Sequence, residues 1–444
     1  MNEILFSEYF HYGKQINAVL IFPESYKFGS ANLGHQTVYR LLNESEIVNC
    51  ERFYIEPKSN RKLASVETGR QLSDFDFIAF SSSYELDVYK IIDLLKRLKL
   101  YPLSKEKLRR RPAIISGGAL TFINPKLLQI YSDIVILGDF ENIVLEFIQM
   151  LVQIKLGEDI DEIKSHYEFI FKGGDFSVKP NISETISAYS ALVSEKSSFP
   201  NAFLVELARG CPYKCYFCNT GSSRGKLRFL DKELQNRLTQ SMIQKKIKRI
   251  GLIGSASLLY PDIEKLLENL ISNKIEFSFS SLNIADINET ILKYIFEAGQ
   301  QTITLAPEVG TEKMRQIIRK KYDSGKLLDI VEFAAKSGIP RLKLYFIYGF
   351  IEEELSDLTA IVELIFKIKK ITSISQRPFN IIVSLNPFIP KPNTPAAGVE
   401  MQSKKILVSK LLFLKNELKN SGVRVEAMSV NEAILQYSLA RGIY

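Results

Sequence analysis

Three cysteines in one short stretch carry the most specific chemistry in this sequence. Cys211, Cys215 and Cys218 form a C-x3-C-x2-C array within FLVELARGCPYKCYFCN, residues 203–219. The array follows directly on an apolar run, so three thiolates can converge from one loop at the mouth of a strand. Thiolates so placed suit a metal ion or an iron–sulfur cluster. A structural zinc site normally closes with a fourth Cys or His at short spacing, whereas Cys50, His11, His35 and His166 all lie upstream. A [4Fe–4S] cluster has four corners, and three cysteines leave one iron open to a ligand that is not protein.

The spacing, with the aromatic Phe217 just before the third cysteine, resembles the signature of the radical S-adenosylmethionine (SAM) superfamily. The resemblance implies that the open iron is chelated by the amino and carboxylate groups of SAM. It also implies that an electron from the cluster cleaves SAM to methionine and a 5′-deoxyadenosyl radical. A reducing donor of flavodoxin or ferredoxin type would supply that electron.

The elements that must position these groups alternate along 444 residues, a length that favours more than one core. INAVLIFP (16–23), VNCERFYIE (48–56), FDFIAFSSS (75–83), PAIISGG (112–118) and DIVILGD (133–139) read as strands. LGHQTVYRLLN and ELDVYKIIDLLKRLKL read as amphipathic helices between them. This α/β alternation predicts a Rossmann-like, doubly wound parallel sheet over residues 1–151, with ligands beyond the carboxyl ends of its strands. No G-x-G-x-x-G follows the first strand, so a dinucleotide site is not indicated. Together with the cysteines downstream, ANLGHQTVYRLLN, SGGALTFINP and ILGDFEN resemble the cobalamin-binding-type domain that precedes the barrel in one branch of radical SAM proteins. The D-x-H-x-x-G motif that supplies an axial histidine is absent, and His35, the one histidine at that edge, reads as a helix-surface residue. The resemblance implies cobalamin bound without a histidine ligand, or a domain that keeps the fold and has lost the cofactor.

Residues 152–200 have weaker periodicity and turn-rich segments, and read as a linker. From 201 to 400 the alternation resumes with six strand candidates, at 202–208, 247–254, 276–282, 302–307, 341–349 and 379–388. Six β–α units predict a partial TIM-type (β/α)6 barrel, whose functional residues gather at the carboxyl ends of the strands. Residues 401–444 read as a C-terminal helical extension containing a short strand, VRVEAMS.

Several residues at those strand ends match family blocks. Gly254 and Ser255 in GSAS supply small residues where the family's glycine-rich segment meets the SAM amino group; a tight turn would look the same. In APEVGTEKMRQIIRKK, similar to A-P-E-x-G-T-x-x-x-R, the resemblance gives Glu308 the ribose hydroxyls and Arg315 the ligand carboxylate. An ordinary ion pair would also account for both. Lys343 interrupts the apolar strand RLKLYFIYG, where it pairs with a carboxylate or snorkels outward. Glu353 keeps the acidic place of the following motif, with Ile351 where proline is usual. NPFIPKPNTPAAG, stiffened by four prolines, reads as a channel wall or a rigid surface loop.

Composition narrows the classes further. Hydrophobic residues at 46% and charged residues at 24% are ordinary for a globular protein. No apolar run is long enough to span a bilayer and the N-terminus lacks a basic signal region, so the expected place is the cytoplasm, without a membrane partner. Four cysteines, three of them clustered, make no disulfide framework. The net charge of +8 has its densest runs at 107–112 and 245–249, which read as solvated surface and not as a nucleic-acid-binding face. The expected function is thus a radical SAM enzyme, a methyltransferase if cobalamin is bound. Two rivals stand beside it. A methylthiotransferase acting on RNA or protein would need three further cysteines, where this chain has Cys50 alone. The other is a non-catalytic, zinc-stapled nucleic-acid-binding protein.

Overall fold

The computed structural model describes residues 3–6, 13–57, 62–103, 111–174 and 182–443. Most of the basic run at 107–112 lies outside them. The chain folds as two compact units, residues 1–206 with 439–444, and residues 207–438. Among the described residues no helix is long and apolar enough to cross a membrane.

The first unit contains β1 (Glu3–Leu5), β2 (Ile16–Phe22), β3 (Val48–Tyr54), β4 (Phe77–Ser81), β5 (Ala113–Gly117), β6 (Ile134–Val135) and β7 (Leu192–Ser194). Strands β2 to β6 form a parallel sheet in the order β3-β2-β4-β5-β6. This is a doubly wound arrangement whose strand order reverses between β2 and β4. The sequence period explains its two faces. Ala18 and Leu20 join Cys50, Phe77 and Ile115 against Tyr39 and Leu42 of the helix Leu33–Glu44. Val19 and Ile21, one residue out of step, join Ile78, Phe80 and Ile114 against Val88, Ile91 and Leu95 of the helix Asp87–Arg97. The stretch 152–200 carries the helix Ile160–His166 and strand β7, which pairs antiparallel with β1.

His35 differs from its expected surface position. Asn32 caps the helix Leu33–Glu44 by accepting from the His35 backbone N–H at 2.9 Å, and this turns the imidazole inward. The ring is fully buried, 5.5 Å from both Phe22 and Tyr54, and neither ring nitrogen has a hydrogen-bond partner.

The second unit starts within β8 (Ala202–Arg209) and adds β9 (Arg228–Phe229), β10 (Arg249–Gly254), β11 (Glu276–Phe279), β12 (Thr302–Glu308), β13 (Arg341–Tyr348), β14 (Asn380–Pro387) and β15 (Arg424–Ala427). Two four-stranded sheets, β11-β10-β8-β9 and β12-β13-β14-β15, are joined by a parallel bridge between Leu282 and Leu305. All six expected strands are present, separated by helices. The short strand of the C-terminal extension does more than expected, because β15 pairs parallel to β14 and lengthens the ladder by one strand. Along β13, Leu342, Leu344, Phe346 and Tyr348 are buried, whereas Lys343, Tyr345 and Ile347 on the opposite face are half-buried.

Candidate active site

The cysteine loop leaves β8 through Gly210, whose φ of +82° suits glycine. A Cβ there would stand 2.6 Å from the Lys226 carbonyl oxygen, so no side chain fits. The Cys218 N–H donates to the Cys215 carbonyl at 3.1 Å, closing the second and third cysteines into one turn. The Tyr216 N–H donates to the Ile318 carbonyl at 2.9 Å and ties the loop to the segment after the helix Glu312–Ile317. A third tether runs from the Tyr213 hydroxyl, which donates to Asp286 Oδ1.

Cys215 is buried and Cys211 and Cys218 are half-buried. All three sit on one short loop, which the Cys215–Cys218 turn and the Tyr216 tether hold together. Burial pushes the Cys215 thiol up to about 11 and raises Cys211 as well, while the Lys320 ammonium opposes both shifts. A metal centre here must displace those protons, and thiolates are its natural donors. Among the described residues no three His, Cys, Asp or Glu side chains close on a single ion. Three cysteines on one loop, with no fourth Cys or His at short spacing, suit the corners of a cluster better than one tetrahedral zinc.

Beside the loop lies a cavity of about 540 Å³. Its walls divide by chemistry. Ser280, Ser281, Ala306 and Glu308 bring small and polar groups from the ends of β11 and β12; Tyr345, Ile347, Phe388, Ile389 and Met428 bring mostly apolar ones from β13, β14 and the residues that follow, with the polar Asn386 among them. Phe217, from the cysteine loop itself, shares the cavity. The proline-rich loop therefore supplies wall, through Phe388 and Ile389, and Phe388 stacks on Phe350 at 4.3 Å.

The expected site residues take different places. Phe217 and Glu308 face the cavity together. Glu308 is buried, with a left-handed φ of +70° at a bulge in the β12–β13 ladder. Burial raises its carboxyl, and Lys320, whose Nζ is 3.4 Å from Oε1, pulls it back. Gly254, at φ +149°, would put a Cβ 2.7 Å from the Ala208 carbonyl oxygen, so its close approach is to β8; Ser255 beside it is exposed. Arg315 is engaged by its neighbours, with Nε 3.0 Å from Glu312 Oε2, Nη2 2.8 Å from Ser324 Oγ, and the guanidinium over Tyr322. Lys343 donates to Glu426 on β15 at 3.0 Å. Neither Arg315 nor Lys343 is among the cavity-lining residues.

Sequence reasoning passed over Lys320, Asp286 and Glu426. Lys320 stood inside a matched block but in a run of basic residues that reads as surface. Asp286 and Glu426 lie in segments too short to show a period. Cys50 is wholly buried within β3, as its place in a strand implied.

A family model described as the radical SAM superfamily matches residues 205–365, the span from β8 into the helix after β13. A second, described as radical SAM proteins, N-terminal, matches residues 34–168. The chain belongs to the radical SAM superfamily. The superfamily assignment makes a [4Fe–4S] cluster and SAM the cofactors and makes the protein an enzyme that needs a reductant. Among relatives, protein MJ0966 of Methanocaldococcus jannaschii is 26% identical over 430 residues, covering 96% of this chain and 88% of that protein. The hopanoid C-3 methylase of Methylococcus capsulatus is 22% identical over 276 residues, 60% of this chain and 51% of the methylase. Among solved structures, the radical SAM methyltransferase TsrM of Kitasatospora setae, with tryptophan and a SAM analogue bound, superposes with a TM-score of 0.58. That superposition covers 86% of this chain and 75% of TsrM at 12% identity, a likeness of fold.

Proposed function

We propose that this radical SAM enzyme transfers a methyl group to an unreactive carbon. The carrying observation is that Phe217, from the loop of Cys211, Cys215 and Cys218, shares one cavity with Glu308 and with an apolar wall. Names of relatives and fold neighbours support the reaction class, since the hopanoid enzyme is a C-3 methylase and TsrM is a methyltransferase.

When bound, the cluster supplies the electron that cleaves SAM. The three cysteines hold it, and the open corner points the choice of ligand toward a chelating group that is not protein. Glu308, an acceptor at the end of β12, holds ribose hydroxyls. The small residues Ser280, Ser281 and Ala306 leave room for a nucleoside beside it. Tyr345, Ile347, Phe388 and Met428 exclude water from the carbon that reacts, which protects a reactive species from quenching. A flavodoxin- or ferredoxin-type protein supplies the electron.

Cobalamin held by a histidine does not fit the described residues. His35 is sealed between Phe22 and Tyr54, and His166 is exposed at the end of its helix. The first unit would hold cobalamin without a histidine ligand, as a fold neighbour with cobalamin and a [4Fe–4S] cluster bound, TsrM, invites. The experiment is anaerobic reconstitution with iron and sulfide, with and without cobalamin, followed by reaction with SAM labelled in its methyl group. Cleavage of SAM by a reducible cluster is expected; stoichiometric zinc without iron would overturn the reading.

A further inference from the structure

Lys320 pairs with Glu308 at the acidic end of β12 and sits in a segment that is hydrogen-bonded to the cysteine loop. Its backbone N–H donates to the Arg315 carbonyl at 2.9 Å, closing the helix Glu312–Ile317. Two residues earlier, the Ile318 carbonyl accepts from Tyr216, which lies between Cys215 and Phe217. Two residues later, the Tyr322 hydroxyl donates to the Pro307 carbonyl at 3.3 Å, next to Glu308. The segment 318–322 is thus pinned at one end to the cysteine loop and at the other to β12, with Lys320 between the pins.

The ammonium is largely buried, its side chain 15% exposed, and its partner Glu308 is 9% exposed at 3.4 Å. A buried ion pair seldom repays the desolvation of its two charges, so it is weak evidence for a stabilising role. An ammonium also has three donors, and one long bond to Glu308 leaves it free to act on other negative groups. The cysteine loop is the segment tied closest to it, through the Tyr216–Ile318 bond, and Phe217 of that loop shares a cavity with its partner Glu308.

We propose that Lys320 is a positioning residue that sets the reduction potential of the cluster, its fixed positive charge offsetting the negative charge of the cysteine thiolates and of Glu308. Reduction adds one electron to a cluster that already carries net negative charge from its ligands, and a cation held in a poorly solvated place favours the more negative state. Glu308, a carboxylate, acts with the opposite sign. The inference rests on the cysteines holding a cluster, the reading proposed above.

The test uses full-length protein reconstituted anaerobically, without SAM. Its cluster is reduced by one electron with dithionite through mediators and followed by electron paramagnetic resonance. Lys320→Met is expected to lower the equilibrium constant for reduction about tenfold, equivalent to 59 mV for a one-electron couple. Lys320→Arg should stay within about threefold of the parent, and Glu308→Gln should move the potential the other way. Loss of packing would not give opposite signs to two neighbouring substitutions. A Lys320→Met cluster at the parental potential, or shifts of the same sign in Lys320→Met and Glu308→Gln, overturns the proposal. Should Lys320→Met fail to fold, the direction in Lys320→Gln and in Glu308→Gln decides by the same criterion. Failure of the parent protein to take up iron and sulfide would instead overturn the cluster reading itself.

Discussion

Lys343 on β13 donates to Glu426 on β15 across the intervening strand β14, Nζ to Oε2 at 3.0 Å. Burial lowers the affinity of Lys343 for its proton, and the bond to Glu426 more than restores it. The pair ties β15 to the sheet of β12, β13 and β14. Glu426 keeps a second cation, Arg424 at 3.0 Å, whereas Lys343 is otherwise left with the Tyr345 ring at 5.3 Å. Glu426→Gln should therefore cost more than Lys343→Met. With both groups partly solvated, the expected loss is about 1 kcal/mol, or roughly 2–4 °C in the melting of the second unit. Thermal melts at low and high salt check it, because the difference should shrink as salt rises.

Glu353 answers to two partners at once. It accepts from the Gly349 N–H at 2.8 Å and from Lys410 Nζ at 2.8 Å, with its own side chain 1% exposed. Burial raises its carboxyl, and Lys410 with Gly349 opposes the rise. Removing the acid leaves a backbone donor and an ammonium without an acceptor. Glu353→Ala should cost about 3 kcal/mol by melting, since breaking a buried pair from one side exposes the full desolvation cost. A variant that melts within a degree of the parent would refute this account.

How much of this was legible depended on periodicity. The five strands of the first unit's parallel sheet and six of the strands in the second unit were visible because each is a continuous apolar or alternating run bounded by turn residues. The cysteine array was visible because its spacing is local. Glu308 and Phe217 could be placed at one mouth because strand ends converge in such folds. What escaped were pairings across distance. Nothing in RKK distinguishes Lys320 from Lys321, and no period in VRVEAMS assigns Glu426 to Lys343. His35 was misplaced for a different reason: its position after Asn32 read as helix surface, but the capped first turn points it into the aromatic core between Phe22 and Tyr54.

The four cysteines should divide cleanly. Cys211→Ala, Cys215→Ala and Cys218→Ala each remove one corner ligand and should abolish the visible absorption and the iron content of reconstituted protein. Cys50, whose thiol burial holds well above its ordinary value, should be dispensable for both. Iron and sulfide assays on the four variants check this; cluster loss in Cys50→Ala would count against the assignment.

His35 predicts acid sensitivity of the first unit. Burial, with Arg52 nearby, pushes the imidazole down to about 3, so the folded state holds it neutral. The unfolded chain binds a proton near pH 6.5 and the folded one does not. The stability contributed by the neutral ring is therefore complete above pH 6.5 and is lost as pH falls toward 3, at about 1.4 kcal/mol per unit. Between pH 6.5 and 5 the loss should be about 2 kcal/mol from this residue. His35→Leu breaks no hydrogen bond, since both ring nitrogens are unpartnered. Denaturation at pH 7 and pH 5 should show a smaller loss in that variant than in the parent.

Glu308 and Arg315 came from one sequence block, yet their surroundings predict different phenotypes. Glu308 faces the cavity, and its backbone is held in a left-handed conformation that strand residues rarely adopt. Losing a charged acceptor for ribose hydroxyls costs about 2 kcal/mol, so Glu308→Ala should weaken SAM binding to the reconstituted enzyme roughly thirtyfold. The Arg315 guanidinium is committed to Glu312, Ser324 and Tyr322. Arg315→Ala should lower the melting temperature by a few degrees while changing SAM affinity less than about threefold. Anaerobic calorimetric titration with SAM, paired with melting curves, separates the two. If Arg315→Ala instead lost SAM affinity at an unchanged melting temperature, its guanidinium must leave Glu312 when SAM arrives, and the helix Glu312–Ile317 would be part of the binding site.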